Sequence, residues 1–153
     1  MTKILFVCHG NICRSPMAEF VMKDLVCKAG LEDSFEIASA ATSSEELGSP
    51  VYPPVRRILS ARGINCFGKT ACTLTRKDYD KYDILIGMDR QNMRNMIRIC
   101  GEDSERKMHL LLDFTKHPRE VSDPWYTGDF DQTISDVDEG CSALLEKILQ
   151  NKI

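Results

Sequence analysis

The stretch Ile4-Leu5-Phe6-Val7-Cys8-His9-Gly10-Asn11-Ile12-Cys13-Arg14-Ser15-Pro16 decides how this chain folds. Four consecutive apolar residues make a short buried strand, and the polar, glycine-bearing loop after it leads into a helix with Pro16 at its start. Ala18, Val21, Met22, Leu25 and Ala29 follow at i, i+3, i+4 spacing, one apolar face of that helix. A loop joining a strand to a helix can turn successive backbone N–H groups inward as a nest, and the helix end adds partial positive charge, so anions bind there. Gly10 and Asn11 are the residue types that best tolerate the positive φ of a tightly curled loop. Arg14 carries a planar fork that suits two oxygens of a tetrahedral anion. Cys8 is then expected on the floor of an electropositive bowl that favours its thiolate.

The spacing Cys-x5-Arg decides little alone. Seven cysteines, each with roughly a 5–6% chance of an arginine six positions on, give about 0.4 matches by accident. A second match is present. Cys100-Gly101-Glu102-Asp103-Ser104-Glu105-Arg106 follows a helical stripe and sets three carboxylates where an anion would sit, so like-charge repulsion removes it as a cradle. The strand before Cys8 and the helix after it distinguish the first match.

Working outward, apolar runs of strand length lie at 35–41, 82–88 and 108–114. Helical stripes separate and follow them: Val55, Ile58 and Leu59; Met93, Met96, Ile97 and Cys100; and Ile134, Val137, Cys141, Leu144, Leu145 and Ile148, in a helix that begins near Phe130. Gly63 is expected to end the second helix, and Pro118 and Pro124 mark a long loop before the last. Strands alternating with helices imply parallel pairing through right-handed crossovers. The expected fold class is α/β, three layers, with a four-stranded parallel sheet and helices on both faces. In such sheets ligands bind beyond the carboxyl ends of the strands, where the strand order reverses.

A chain of 153 residues, 42% hydrophobic, suits one domain spanning 1–153. Its 20 Lys+Arg against 23 Asp+Glu offer no basic surface for nucleic acid. No apolar run is long enough to span a membrane, no signal region follows Met1-Thr2-Lys3, and a cytoplasmic protein is expected. The odd cysteine count and the lack of a Cys-x-x-Cys pair favour free thiols. His9, His109 and His117 are scattered and no carboxylate cluster joins them, so neither a metal nor another cofactor is expected.

The segment from Val7 to Pro16 closely resembles the signature loop of the low-molecular-weight protein tyrosine phosphatases. The resemblance continues in Ser39-Ala40-Ala41-Thr42-Ser43, Met88-Asp89 and Asp123-Pro124-Trp125-Tyr126, four landmarks in order along nearly the whole chain. It implies a flavodoxin-like, phosphotyrosine phosphatase I-like fold and metal-free hydrolysis of phosphotyrosine and small aryl phosphates. By this resemblance Cys8 is the nucleophile and the loop His9, Gly10, Asn11, Ile12, Cys13 and Arg14 binds phosphate. Asp123, on a mobile loop, is the general acid and later the base. Ser15 supports the thiolate, Asn11 and Ser39 hold the loop, and Cys13 is the redox partner of Cys8, unless it is only a small buried residue. Read without the family, Asp123-Pro124 is simply a turn or helix cap.

Trp125 and Tyr126 lie in a segment that reads as irregular between Ser122 and Gly128; each ring either walls an aryl-binding cleft or packs on the sheet edge. Ile12, beside the substrate in relatives, favours the tyrosine branch over the arginine branch, where a threonine stands. Many relatives carry an aromatic residue where this chain reads Ser44-Glu45-Glu46-Leu47. Glu45 and Glu46 make either an acidic rim that prefers basic residues beside the phosphotyrosine or merely solvated charge. A His-x-Ala-Arg-like stretch expected before the third strand is replaced by Lys69-Thr70-Ala71-Cys72-Thr73. His9 is expected on the loop's outer side. The expected partners are a phosphotyrosine protein or peptide and phosphate or another oxyanion, bound by a monomer or weak dimer. Arsenate reductase fits poorly, since Cys100 alone lies near where resolving cysteines are needed. A phosphoryl carrier or phosphopeptide-binding module has no need of both Arg14 and Asp123.

Overall fold

Ile4, Leu5, Phe6 and Val7 are all essentially inaccessible, as a strand covered on both faces must be. Their side chains alternate between two cores, as a pleat with period two requires. Ile4 and Phe6 join Met17, Met22, Val55, Leu59, Val137 and Leu144 on one face; Leu5 and Val7 join Tyr79, Leu85, Met96 and Met108 on the other.

The computed structural model describes residues 1–153. Strands β1 (Thr2–Cys8), β2 (Phe35–Ala41), β3 (Ile84–Gly87) and β4 (Met108–Leu110) form one parallel sheet in the order β2-β1-β3-β4. Helices α1 (Arg14–Lys28), α2 (Pro53–Ala61) and α6 (Phe130–Leu149) supply one outer layer; α3 (Arg76–Lys81) and α4 (Arg90–Cys100) supply the other. The expected α/β, three-layer architecture is the one found. Because β1 is central and its neighbours β2 and β3 lie on opposite sides, the strand order reverses at its carboxyl end, and the loop after Cys8 opens there. No helix is long and apolar enough to cross a membrane.

Two sequence expectations need correction, and one element was not foreseen. The run 108–114 is not one strand: β4 stops at Leu110, and Leu111–Phe114 turns into a 3-10 helix that packs under α6. Consecutive apolar residues satisfy either form, and packing against Gly140 selects the turn, since a Cβ there would collide with Leu111. The segment 122–128 is not wholly irregular, because Pro124–Thr127 forms a single helical turn, α5, capped by Asp123 and ended by Gly128 at φ 72°. α3 was not foreseen; its six residues carry a Thr75/Asp78 capping box and bury only Tyr79, too short for an apolar stripe.

Candidate active site

Cys8 is the last residue of β1, and Cys13 precedes the first residue of α1, so five residues must reverse the chain. Asn11 makes this possible in the left-handed region at φ 59°; Gly10, expected to share that role, stays outside it. Both sides of the loop are pinned. Thr42 N–H donates to Cys8 O and Ser43 N–H to His9 O, while Tyr52 N–H donates to Ile12 O. Cys13 caps α1 without any side-chain bond, leaving the first-turn N–H groups of the helix open to an anion.

The Asn11 side chain is buried and held by three hydrogen bonds. Its Nδ2 donates to Ser15 Oγ at 2.7 Å and to Ser39 Oγ at 2.9 Å, and its Oδ1 accepts from Cys72 N–H at 3.2 Å. Ser15 Oγ lies 2.9 Å from Cys8 Sγ, and Asn11 N–H points at the same sulfur from 3.4 Å. Cys8 is thus buried, with Ser15 Oγ and Asn11 N–H as its polar neighbours. Burial pushes the Cys13 thiol up to about 12, helped by Cys8, Asp123 and Glu46 and opposed by Arg14.

Arg14 is 2% exposed. Its Nη1 donates to Asp89 Oδ2 at 2.7 Å and to Val121 O at 2.9 Å, and its Nη2 donates to Asp123 Oδ2 at 3.3 Å. Burial opposes its charge, but Cys8, Asp89 and Asp123 outweigh burial and hold the guanidinium above its ordinary value. Three of five N–H groups are thereby engaged, leaving Nε–H and one Nη2–H, the edge a two-oxygen grip uses. Asp89 is itself fixed as the N-cap of α4, accepting from Asn92 N–H at 2.7 Å.

The bowl opens into a cleft of about 130 Å³ lined by Cys8, Ile12, Arg14 and Asp123, with Glu45 and Glu46 on one rim and Trp125 and Tyr126 on another. Asp123 Oδ1 accepts from Trp125 N–H at 3.0 Å while Oδ2 meets Arg14, so this residue caps α5 and also lines the cleft. Trp125 is half exposed and leans on Tyr52, ring centroids 5.2 Å apart; Tyr126 is 84% exposed. Neither ring packs into the core. His9 both faces outward and reaches over the mouth to Glu45 Oε2 at 3.2 Å.

The family model of low molecular weight phosphotyrosine protein phosphatases matches residues 3–153. The chain belongs to that family. Its phosphatase relatives include the low molecular weight protein-tyrosine-phosphatase YfkJ of Bacillus subtilis, 36% identical with 99% of each chain covered, and the rat low molecular weight phosphotyrosine protein phosphatase, 35% identical with 94% of each covered. The crystal structure of YfkJ superposes with a TM-score of 0.95 at 35% identity, over 100% of this chain and 98% of the other. This phosphatase has the enzyme class of its relatives, a protein tyrosine phosphatase.

The fold brings Cys8, His9, Gly10, Ile12, Cys13, Arg14, Glu45, Asp123, Trp125 and Tyr126 to one cleft, with Asn11, Ser15 and Ser39 directly behind it. The decoy Cys100 ends α4 beneath Thr75 O, away from the cleft, and burial pushes its thiol up to about 11. Sequence reasoning did not assign the Arg14 partners Asp89 and Val121. It also passed over Glu19, a carboxylate on the apolar face of α1, a placement that is itself a signal since unpaired acids are rarely buried.

Proposed function

We propose that this phosphatase is one catalytic domain that hydrolyses phosphotyrosine in proteins or peptides, and small aryl phosphates, through a cysteinyl-phosphate intermediate without a metal. The observation that carries the reading is the convergence of Cys8 Sγ, the free edge of Arg14 and the Asp123 carboxyl on one cleft floored by open helix N–H groups. Cys8 as thiolate attacks phosphorus while the loop amides and Arg14 hold the equatorial oxygens. The P–O bond to the phenol breaks as Asp123 gives that oxygen its proton. Water then attacks the thiophosphate, Asp123 takes a proton from it, and phosphate leaves with the thiolate restored. Ser15 steadies the sulfur in both halves.

Ile12 and the Trp125 face, which line the cleft, suit an aryl ester. Glu45 and Glu46 give the rim a negative edge that suits basic residues beside the phosphotyrosine. Cys8 and Cys13 line one cleft, which supports a redox role: peroxide converts the Cys8 thiolate to a sulfenic acid, and the Cys13 thiolate displaces hydroxide to close a reversible disulfide. Seven free cysteines fit a reducing compartment such as the cytoplasm.

Turnover of p-nitrophenyl phosphate in the presence of EDTA, abolished by Cys8→Ser, is the expected result. Activity retained by Cys8→Ser, or lost to EDTA, overturns the proposal.

A further inference from the structure

A second cavity, about 660 Å³ against about 130 Å³ for the cleft at Cys8, lies between α2 and the segment 63–70. The two share no lining residue, and the phosphatase mechanism uses nothing in the second. Its volume falls within the range of roughly 300–1,000 Å³ usual for small-molecule sites. We propose that it binds a small aromatic organic anion, whose aryl ring packs on Phe67 and Ile64 while its anionic group takes the free fork of Arg56.

The aromatic half of the ligand follows from Phe67. It lines the cavity while 94% exposed, more than any other large hydrophobic residue of the chain. The turn that carries it runs between Gly63 and Gly68, both left-handed at φ 76° and 87°, and Asn65 Oδ1 accepts Phe67 N–H at 2.9 Å. Backbone geometry therefore holds the ring out in water, an unfavourable placement that a covering apolar face relieves. Ile64 is half-buried beside it, and Val51 and Cys66 continue the wall inward.

The anionic half follows from charge. Arg56 and Lys69 line the cavity and no Asp or Glu does, in a chain with 23 acids against 20 Lys+Arg. Arg62, at the end of the same helix, grips Asp138 through two bonds of 2.7 Å. Arg56 has no such carboxylate partner and makes no side-chain hydrogen bond, so its planar donor edge is open to two oxygens of a ligand. Burial raises the Cys66 thiol, and Arg56 is the charged group that opposes the rise, which sets the guanidinium close to the apolar wall. Lys69 Nζ is already held by Ser39 O at 2.9 Å and adds positive field.

The test uses anilinonaphthalene sulfonate, an aromatic anion, titrated into the full chain with inorganic phosphate in excess so that the Cys8 cleft is filled. Fluorescence gives the affinity and amide chemical shifts give the place. One-to-one binding is expected, with shifts at Arg56 and 63–70 and none over the loop from His9 to Ser15. Phe67→Ala is expected to weaken binding roughly fivefold and Arg56→Gln about tenfold. Uncharged anilinonaphthalene is expected to bind about tenfold more weakly than the sulfonate. Both side chains are exposed, so melting temperature and p-nitrophenyl phosphate turnover should stay at the parent values. No binding, shifts over the Cys8 loop instead, equal affinity in the parent and either variant, or equal affinity for the uncharged compound overturns the proposal. A glutamate-rich peptide that shifts 63–70 where the sulfonate does not would give this face to an acidic protein partner and overturn it as well. The phosphatase reading is decided separately by Cys8→Ser and EDTA.

Discussion

Asp123 Oδ2 lies 3.3 Å from Nη2 of Arg14, so the proposed proton donor is held by the proposed phosphate clamp. The contact joins two points separated by 109 residues and closes α5 over the bowl. In the proposed mechanism a phosphoryl group takes the free Nε–H and Nη2–H edge of Arg14 beside Asp123, so the acid and the bound anion share one guanidinium.

Asp123→Asn therefore separates two effects. The kcat for phosphotyrosine peptides is expected to fall about 10²–10⁴-fold, the usual range for losing a general acid, with a smaller loss for p-nitrophenyl phosphate, whose leaving group departs more readily. Inorganic phosphate is expected to inhibit the variant more strongly, because a negative charge lining the same cleft is removed. Equal losses on both substrates would remove Asp123 from the acid role.

Asn11 combines a left-handed backbone with three side-chain bonds. Asn11→Ala is expected to cost ~1–2 kcal/mol for the conformation and about 1 kcal/mol for each lost bond. Asn11→Gly is expected to recover the first part alone. Urea denaturation of the two variants measures the difference, and equal stabilities would show that the loop does not need the positive φ.

Cys13 sets an alkaline dependence. Its thiol is raised from 9.0 to about 12 in the folded protein, so the unfolded chain releases this proton first as pH rises. The native state then binds more protons, and stability present below pH 9 erodes between 9 and about 12. Buried Cys100 and Cys141 act in the same direction. Cys13→Ala is expected to flatten the fall in urea stability between pH 9 and 11. Closure of the Cys8–Cys13 disulfide after peroxide treatment is expected to quicken about tenfold per pH unit below the Cys13 value, because the attacking species is its thiolate. A rate independent of pH would point to another resolving group.

The rim carboxylates predict substrate preference. Replacing Glu45 and Glu46 together by glutamine is expected to lower kcat/KM for lysine- or arginine-flanked phosphotyrosine peptides about two- to fivefold, the scale of exposed ion pairs. Neutral peptides serve as the reference. Raised salt should erase the difference in the parent protein, and an unchanged ratio would dismiss the rim.

Gly140 predicts stability at a distance from the site. Gly140→Ala forces a methyl group into Leu111, and such overpacking costs typically ~1–3 kcal/mol. Lower urea stability with the Cys8 alkylation profile intact is the expected outcome.

The loop from Cys8 to Ser15 was legible because its physics is local: an apolar strand, a curl that needs Asn11, an arginine and a helix start are all contiguous. The helical stripes of α1, α4 and α6 were legible for the same reason, each being a repeat within one element. The 3-10 turn at Leu111–Phe114 was not, since its apolar residues satisfy a strand equally well and Gly140, far along the chain, makes the choice. Nor was α3, whose six residues are held by a capping box instead of a stripe.

The amino-acid order alone determined the α/β class, the strand-loop-helix motif around Cys8 and the family resemblance, because periodicity and contiguous motifs carry them. Only the tertiary structure decided what surrounds Arg14. Asp89, Val121 and Asp123 lie 75, 107 and 109 residues away, and they reach it only because the parallel order β2-β1-β3-β4 delivers each loop to the same edge of the sheet. Glu19 and Lys69 meet Ser39 by the same means. Such contacts are set by strand pairing and helix packing, which no short window of residues encodes.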